Sequence, residues 1–175
     1  NPTLGPMIRS LFLPEEGQQW AAVDYSQQEP RILVHYAKAY GDSKNTELKG
    51  LSEFLEGYTN DPKMDFHSLV AEMAEIPRKQ AKMINLAMMY GMGVNKLAEQ
   101  LDIDKAEAAD MCKQSMVDLF QLGVVPLVQI HDELCFSVEN REEAEKYAEI
   151  MENAVPLEIP NRCDIEIGPS WGEAS

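Results

Sequence analysis

The sequence predicts an α+β fold in which helices pack on one face of an antiparallel sheet. Two stretches support this prediction. The predicted strand Gln18 to Asp24 contains an apolar run that begins at Trp20 and ends on an acid. Val124 to Val138 has apolar, β-branched runs on both sides of a short polar segment. The first pattern is typical of a buried strand, and the second of a hairpin with buried strands.

The remaining chain has the periodicity and end signals of helices. Pro30 suits a first helical turn, Gly41 a helix end, and Asp65 and Asn140 suit N-caps. Asp42 to Asn45 is read as a polar loop. In chain order the predicted helices are about 29–40, 51–58, 65–74, 78–90, 94–101, 105–122 and 141–154, and a half-buried edge strand follows at 163–167.

Asp132 and Glu133 are adjacent acids at the tip of the predicted hairpin. Two such carboxylates repel each other and lose hydration unless a cation or water lies beside them. With Asp24 delivered by the first strand, Asp24 and Asp132 would hold two Mg²⁺ ions about 3.5–4 Å apart, which suits phosphoryl transfer. The alternative is a turn that simply favours Asp.

The helix that follows Pro77 carries a stripe of functional side chains. Arg78, Lys82, Leu86 and Tyr90 recur at four-residue steps and therefore share one face. Two cations followed by an apolar and an aromatic group suit a nucleotide lying along the helix, with its triphosphate at the basic end. The alternative is a surface Arg/Lys pair above a core-facing Leu and Tyr.

Three motifs in this order resemble those of family A DNA polymerases, the bacterial DNA polymerase I type and its phage-like members. Asp24 to Arg31 resembles motif A, Arg78 to Gly91 motif B, and His131 to Glu133 motif C. The resemblance covers nearly the whole chain. It implies one polymerase domain fragment, with the palm at 1–40 and 109–175 and partial fingers at about 41–108.

The resemblance implies DNA synthesis on primer–template DNA, with dNTPs as substrates and two Mg²⁺ ions as cofactors. Asp24, Asp132 and the backbone of Tyr25 would bind metal, and Lys82 would protonate the departing pyrophosphate. Glu29 would fill the space of a ribose 2′-hydroxyl. The implied nucleotide contacts are His67, Arg78, Lys82, Leu86, Tyr90, Glu29 and Gln27, and the implied primer or template contacts are His131, Glu133, Tyr90 and Gln129.

Departures from the family pattern carry their own expectations. Tyr90 and Asp132 are separated by less than half the family spacing, so we expect the outer fingers to be missing near Lys105 to Ala109. The resemblance places a thumb before Asn1, and we expect this fragment to lack it. Leu86 stands where an aromatic residue is usual, which predicts altered discrimination against dideoxynucleotides. Ala87 replaces a usual Gly.

Composition sets the remaining expectations. The net charge is −15 with only 15 Lys and Arg, so basic grip on DNA would come from accessory proteins or missing domains of the same protein. No apolar stretch approaches the roughly 20 residues of a membrane span, so no membrane partner is expected. With no signal peptide visible, we expect a cytoplasmic location in a bacterial or phage-infected cell. The chain begins without Met and is expected to be a fragment.

Two alternative functions remain at this point. One is a folded but inactive palm remnant or engineered core, without thumb or outer fingers. The other is a metal phosphohydrolase that uses His67 and the pair His131 and Asp132, although this interpretation leaves the stripe that begins at Arg78 unexplained.

Overall fold

The computed structural model describes residues 4–87 and 106–174. The chain separates into two compact units: unit 1 comprises residues 1–26, 108–156 and 161–175, and unit 2 comprises 27–107 and 157–160. The described helices are α1 (Leu4–Arg9), α2 (Gln28–Lys44), α3 (Leu51–Asn60), α4 (Phe66–Ala74), α5 (Arg78–Ala87), α6 (Ala106–Gln121) and α7 (Arg141–Ala154). The described strands are β1 (Gln19–Tyr25), β2 (Val128–Ile130), β3 (Glu133–Val138) and β4 (Cys163–Gly168).

Unit 1 is built on one antiparallel sheet with the strand order β2-β3-β1-β4. The predicted α+β class, the hairpin and the strand that ends near Asp24 are therefore confirmed. β4 lies at an edge and alternates between half-buried and exposed side chains, as its sequence predicts. No helix in the described parts of the chain is both long and apolar enough to cross a bilayer.

The two faces of β1 have different surroundings. Because successive strand residues point to opposite faces, Ala21, Val23 and Tyr25 share one face, and all three are buried. The Tyr25 hydroxyl lies 2.7 Å from Ser115 Oγ on α6 and donates a hydrogen bond to the Met151 carbonyl on α7. Helices α6 and α7 therefore cover this face, and Asp24 lies on the opposite face.

Unit 2 is a helical unit organised around a buried arginine. The Arg31 side chain is 1% exposed, and its guanidinium donates to the carbonyls of Pro62 and Pro160. It also lies 4.6 Å from the centre of the Tyr58 ring. Beside it, Val34, Tyr58, Phe66 and Ile159 form a buried apolar cluster. Arg31 thereby joins α2 and α3 to the returning segment 157–160.

The predicted end of the first long helix at Gly41 is wrong, because α2 continues to Lys44. The left-handed residue that ends α2 is Asn45, with φ 48°. Gly41 is buried inside the helix, where an added Cβ would lie 3.0 Å from the Thr46 carbonyl oxygen. This glycine therefore permits close approach of the returning chain. The predicted loop over Asp42 to Asn45 is wrong for the same reason.

The predicted N-caps are confirmed. Asp65 accepts a hydrogen bond from the His67 N–H, and Asn140 accepts one from the Glu143 N–H at 3.1 Å. Glu143 reaches back to the Glu139 N–H at 2.7 Å, one residue before the position expected for a capping box. The predicted helical segments 88–90 and 94–101 lie outside the described residues.

Replacing Arg31 by leucine should lower the free energy of unfolding of unit 2 by about 3 kcal/mol, because buried carbonyls lose their donor. Both tryptophans, Trp20 and Trp171, belong to unit 1, so the measurement is hydrogen exchange at the main-chain amides of α3. Lys38→Ala, which removes an exposed ion pair to Asp42, is the control and should leave exchange unchanged. Wild-type protection in Arg31→Leu would contradict the role given to Arg31.

Candidate functional site

Acidic side chains form a row across one end of the unit 1 sheet. Asp24 on β1 is directly paired with Glu133 on β3 and with Asp164 on β4. Directly paired residues of antiparallel strands share a face and lie close together. In the turn before β3, the Asp132 carbonyl accepts a hydrogen bond from the Tyr25 N–H at 3.3 Å. The structure therefore brings the predicted motif A acid next to the predicted hairpin acids.

Burial and the neighbouring acids together raise the pKa of Asp24. Burial is the largest cause, and the charges of Asp132, Glu133, Asp164 and Glu166 add to it, so that the pKa of Asp24 is raised to about 7. Each of these influences disfavours the carboxylate form. The site consequently has a negative potential that a cation would relieve. Asp164 and Glu166 were missed from the sequence, although their alternation in an edge strand is a signal for them.

Glu133 is held in place by groups that the sequence did not suggest. Its Oε1 accepts hydrogen bonds from Trp171 Nε1 and Cys135 Sγ, each at 3.1 Å. Trp171 in turn stacks on Trp20, with ring centres 6.2 Å apart. The C-terminal turn thus anchors the acid that is paired with Asp24. The position of Cys135, two residues after Glu133 on the same strand face, is the only sequence signal for this contact.

The hairpin tip carries His131 and Gln129, two of the four residues predicted to contact primer or template. The other two are Glu133, which begins β3, and Tyr90, which lies outside the described residues. His131 is exposed and adopts a left-handed backbone with φ 53°. Gln129 is exposed, and its Nε2 donates to the His131 carbonyl at 2.8 Å, which closes the turn. Both side chains lie at the surface of unit 1. Their contacts with nucleic acid remain predictions.

The described acids do not form a preformed metal centre. Within residues 4–87 and 106–174, no three His, Cys, Asp or Glu side chains form a group able to hold a metal ion. The predicted set is smaller, with two carboxylates, Asp24 and Asp132, and the Tyr25 carbonyl. Mg²⁺ is commonly bound by one or two carboxylates together with water and substrate phosphates. The donor set therefore suits Mg²⁺ accompanied by a phosphate ligand.

In unit 2 the first N–H groups of α4 are already hydrogen-bonded. The Phe66 N–H donates to Gln27 Oε1 at 2.8 Å, and the His67 N–H donates to Asp65 Oδ1 at 3.1 Å. Gln27 Nε2 donates to the Met64 carbonyl at 2.9 Å. Gln27 therefore builds the entry to α4, whereas the sequence suggested a nucleotide contact. A phosphate near α4 would depend on side chains more than on the helix end.

The predicted stripe on α5 lies largely at the surface. Arg78 and Lys82 are exposed and Leu86 is half-buried, while Tyr90 lies outside the described residues. Arg78 pairs with Asp65, the N-cap of α4. Hydrogen bonds from Arg78 and Ser68 and from the His67 N–H outweigh the opposing effect of burial and hold the pKa of Asp65 at about 2. The cations of the stripe are accessible to a ligand, and Glu29 is exposed on the first turn of α2.

The buried side of α5 carries a polar residue that the sequence analysis missed. Ala81 and Asn85 are buried, and Asn85 Nδ2 lies 3.1 Å from His67 Nδ1 on α4. Burial lowers the pKa of His67, as do the charges of Arg78 and Lys82. An asparagine four residues after a buried alanine is a sequence signal for such a contact, but it does not identify the partner.

Comparison with known proteins gives a consistent result. The family model for DNA polymerase family A matches residues 2–120 and 106–173. A DNA-directed DNA polymerase of Pseudomonas phage M6 is 29% identical over 268 residues, covering 96% of this chain and 40% of the relative. The thermostable DNA polymerase I of Thermus filiformis is 28% identical over 254 residues, covering 98% of this chain and 29% of the relative. The chain thus spans well under half the length of these relatives.

A solved structure shows the same fold. The POL domain of Pol1 from M. smegmatis, in complex with DNA primer-template and dNTP, has a TM-score of 0.70 and 24% identity, covering 98% of this chain and 43% of that chain. Both long sequence alignments exceed the 175 residues of this chain, so the relatives carry extra residues inside the matched region. The two segments of the family match overlap at residues 106–120. This overlap lies close to Lys105 to Ala109, where the outer fingers are predicted to be missing.

The raised pKa of Asp24 predicts that the free energy of unfolding of unit 1 depends on pH. The folded chain holds this proton more tightly than the unfolded chain, whose Asp pKa is 3.8. The free energy of unfolding should therefore fall as pH rises from about 4 to about 7. In metal-free buffer Asp24→Asn should be more stable than wild type by about 1–2 kcal/mol at about pH 8, a value reduced for partial exposure, and equal to it at about pH 4.

Urea unfolding followed by tryptophan fluorescence, which reports on unit 1, measures this difference. Glu145→Gln changes an exposed acid on α7 and should show no such pH dependence. An Asp24→Asn variant that is less stable than wild type at about pH 8 would show that the acidic row does not destabilise the folded chain.

Removing the N-cap of α4 should loosen the helix that carries His67. Asp65→Ala loses the acceptor for the His67 N–H and should cost about 1–2 kcal/mol. Asp65→Asn keeps Oδ1 as the acceptor for the His67 N–H but loses the Oδ2 acceptor for Ser68 and Arg78. Its α4 amides should therefore be less protected than in wild type and more protected than in Asp65→Ala. Hydrogen exchange at α4 amides distinguishes the variants, and equal protection in all three proteins would rule out a capping role.

Proposed function

The chain belongs to DNA polymerase family A, and from this premise we propose that it takes part in template-directed DNA synthesis, joining a nucleotide from a dNTP to a primer 3′-hydroxyl. The observation that carries the proposal is the pairing of Asp24 with the hairpin that holds Asp132 and Glu133 on the sheet face opposite α6 and α7. Hard oxygen donors gathered in this way suit divalent cations and phosphate chemistry.

Asp24 and Asp132 would hold two Mg²⁺ ions, with the Tyr25 carbonyl as a further donor. When bound, the ions supply an acidified primer hydroxyl and a counter-charge for the triphosphate. The protein contributes the placement of the acids: β1 fixes Asp24, and the hydrogen bond from the Tyr25 N–H to the Asp132 carbonyl fixes the turn. Hydrogen bonds from Trp171 and Cys135 keep Glu133 in the same row.

Residues of unit 2 would bind the nucleotide. Arg78 and Lys82 are exposed cations one turn apart on α5, and they would neutralise triphosphate charge. Because Arg78 is paired with Asp65, a triphosphate would compete with that carboxylate for the guanidinium. Lys82 would give a proton to the departing pyrophosphate. His67 would donate a hydrogen bond to a phosphate oxygen.

The remaining residues would select the nucleotide. Glu29, exposed at the start of α2, would leave no room for a ribose 2′-hydroxyl. Leu86 would contact the sugar, and Tyr90 would pack beside the new base pair. His131 and Gln129 at the hairpin tip would contact the primer or template. Gln27 donates to the Met64 carbonyl and accepts from the Phe66 N–H. It would therefore support the nucleotide site by holding the start of α4 in place.

The partners would be primer–template DNA and dNTPs, in the cytoplasm of a bacterial or phage-infected cell. With a net charge of −15, the chain gives little sequence-independent attraction to DNA. Accessory proteins or further domains of the same protein would supply that grip. The Pol1 domain of similar fold was solved with DNA primer-template and dNTP, which supports this assignment of partners.

An inactive palm remnant is the second candidate. It is favoured by alignments of 268 and 254 residues against a chain of 175, because the relatives carry residues that this chain lacks within the match. A remnant would keep the acids and the fold without extending a primer. The family match leaves the metal phosphohydrolase alternative without support.

Primer extension with Mg²⁺ at low salt tests the proposal. Asp24→Asn and Asp132→Asn should each lower the rate by at least about 100-fold, while Glu145→Gln should match wild type. Near wild-type rates in either variant would disprove the metal assignment.

A thermal-shift titration with Mg²⁺ at about pH 8 separates the two candidates. The ion should raise the melting temperature of wild type by mass action, and less in Asp24→Asn and Asp132→Asn. This shift without primer extension would establish the remnant, whereas both signals together would establish the polymerase.

A further inference from the structure

The contact between Asn85 and His67 joins the two helices that carry the proposed phosphate-binding residues. Asn85 lies on α5, between Lys82 and Leu86, and His67 lies in the first turn of α4. Their polar atoms, Nδ2 and Nδ1, are 3.1 Å apart. Both residues are buried, with 8% and 9% exposure. A polar pair at this depth is costly unless its hydrogen bond is made.

The atoms involved determine the protonation state of the histidine. An amide nitrogen of asparagine donates hydrogen bonds and does not accept them. With the Asn85 amide nitrogen turned toward the ring, His67 Nδ1 is the acceptor. A neutral ring with an acceptor at Nδ1 carries its proton on Nε2. An imidazolium would place a proton on Nδ1, against the amide N–H. The contact therefore selects one neutral tautomer among three protonation states.

Burial and the charged groups around His67 also affect its protonation. Asp65 favours the charged ring, whereas Arg78 and Lys82 oppose it, and burial is the largest influence against the charge. The His67 main chain is fixed separately, because its N–H donates to Asp65 Oδ1 at 3.1 Å. The backbone is thus set by Asp65 and the ring by Asn85.

We propose that Asn85 is a positioning residue that holds His67 as a neutral Nε2–H donor for a phosphate oxygen of the bound nucleotide. This inference rests on the proposed function, since it gives the triphosphate role to His67. A neutral N–H donor would orient the phosphate through a directional hydrogen bond, while Arg78 and Lys82 would neutralise its charge. Asn85 itself faces the ring and acts only through it.

Nitrogen-15 NMR of the imidazole rings in the full 175-residue chain tests the proposal directly. The chain has three histidines, and a His67→Gln variant assigns the signals. His35 is an internal standard, because its Nδ1 accepts a hydrogen bond from the Glu158 N–H at 3.1 Å and its neutral ring must also carry the proton on Nε2. Exposed His131 serves as the reference for a surface ring.

Wild-type His67 should give the Nε2–H pattern shown by His35. Asn85→Asp replaces the donor by an acceptor of equal size, so the proton of neutral His67 should move to Nδ1. Gln80→Leu, on the exposed side of the same helix, should leave the pattern unchanged. An Nδ1–H pattern in the wild type, or rapid averaging of both tautomers, overturns the proposal without requiring any variant to fold.

The ligand part is tested with dATP and Mg²⁺ in the absence of DNA. Titration should shift the His67 Nε2 signal of wild type, and Asn85→Asp should bind dATP about fivefold to tenfold more weakly. Unchanged dATP affinity in Asn85→Asp overturns the positioning role. A failure of the proposed polymerase activity appears instead in primer extension by the Asp24 and Asp132 variants, so the two failures are distinguishable.

Discussion

Burial of one face of β1 is the constraint on which unit 1 depends. Ala21 and Val23 are fully buried, and Tyr25 is nearly so, against α6 and α7. Because a strand alternates its side chains, this burial forces Asp24 to the other face, in line with Glu133 and Asp164. A slip of one residue would move Ala21, Val23 and Tyr25 off the face covered by α6 and α7 and bring Asp24 onto it. The apolar core therefore offsets the repulsion within the acidic row and fixes its position.

In unit 2, polar contacts fix the position of the candidate phosphate-binding residues. The side chains of Gln27 and Asp65 satisfy the first N–H groups of α4, and Asn85 contacts the ring of His67. Main-chain groups that would bind a phosphate at an open helix end are thereby occupied. Recognition of an anion in this unit would depend on side chains. Of these, Arg78 is already paired with Asp65 and His67 with Asn85, which would reduce the ordering cost of binding.

The sequence predicted those features that depend on local chemistry. Strand alternation around Asp24 and the capping residues Asp65 and Asn140 gave the correct elements. The helix end predicted at Gly41 is wrong, because a glycine near a helix end resembles a cap while this one permits close packing against Thr46. Long-range contacts could not be predicted from the sequence, since no local pattern pairs Asn85 with His67 or Trp171 with Glu133.

The candidate site divides in the same way. Asp24, Asp132, Arg78 and Lys82 were predicted from residue type, from spacing and from the family resemblance, and their roles remain predictions. Asp164 contributes charge only because β4 returns to the far side of β1, which depends on tertiary structure. The role of Tyr90 and the division into palm and fingers remain predictions.

The chain order within unit 1 has a consequence for biosynthesis. β1 is synthesised before its pairing partners β3 and β4, which begin more than a hundred residues later, at Glu133 and Cys163. The ribosome must therefore release more than a hundred further residues before the central strand can pair with either neighbour. Until then its apolar side chains and both of its edges stay open to other strands, so nascent-chain chaperones would protect this segment most during translation.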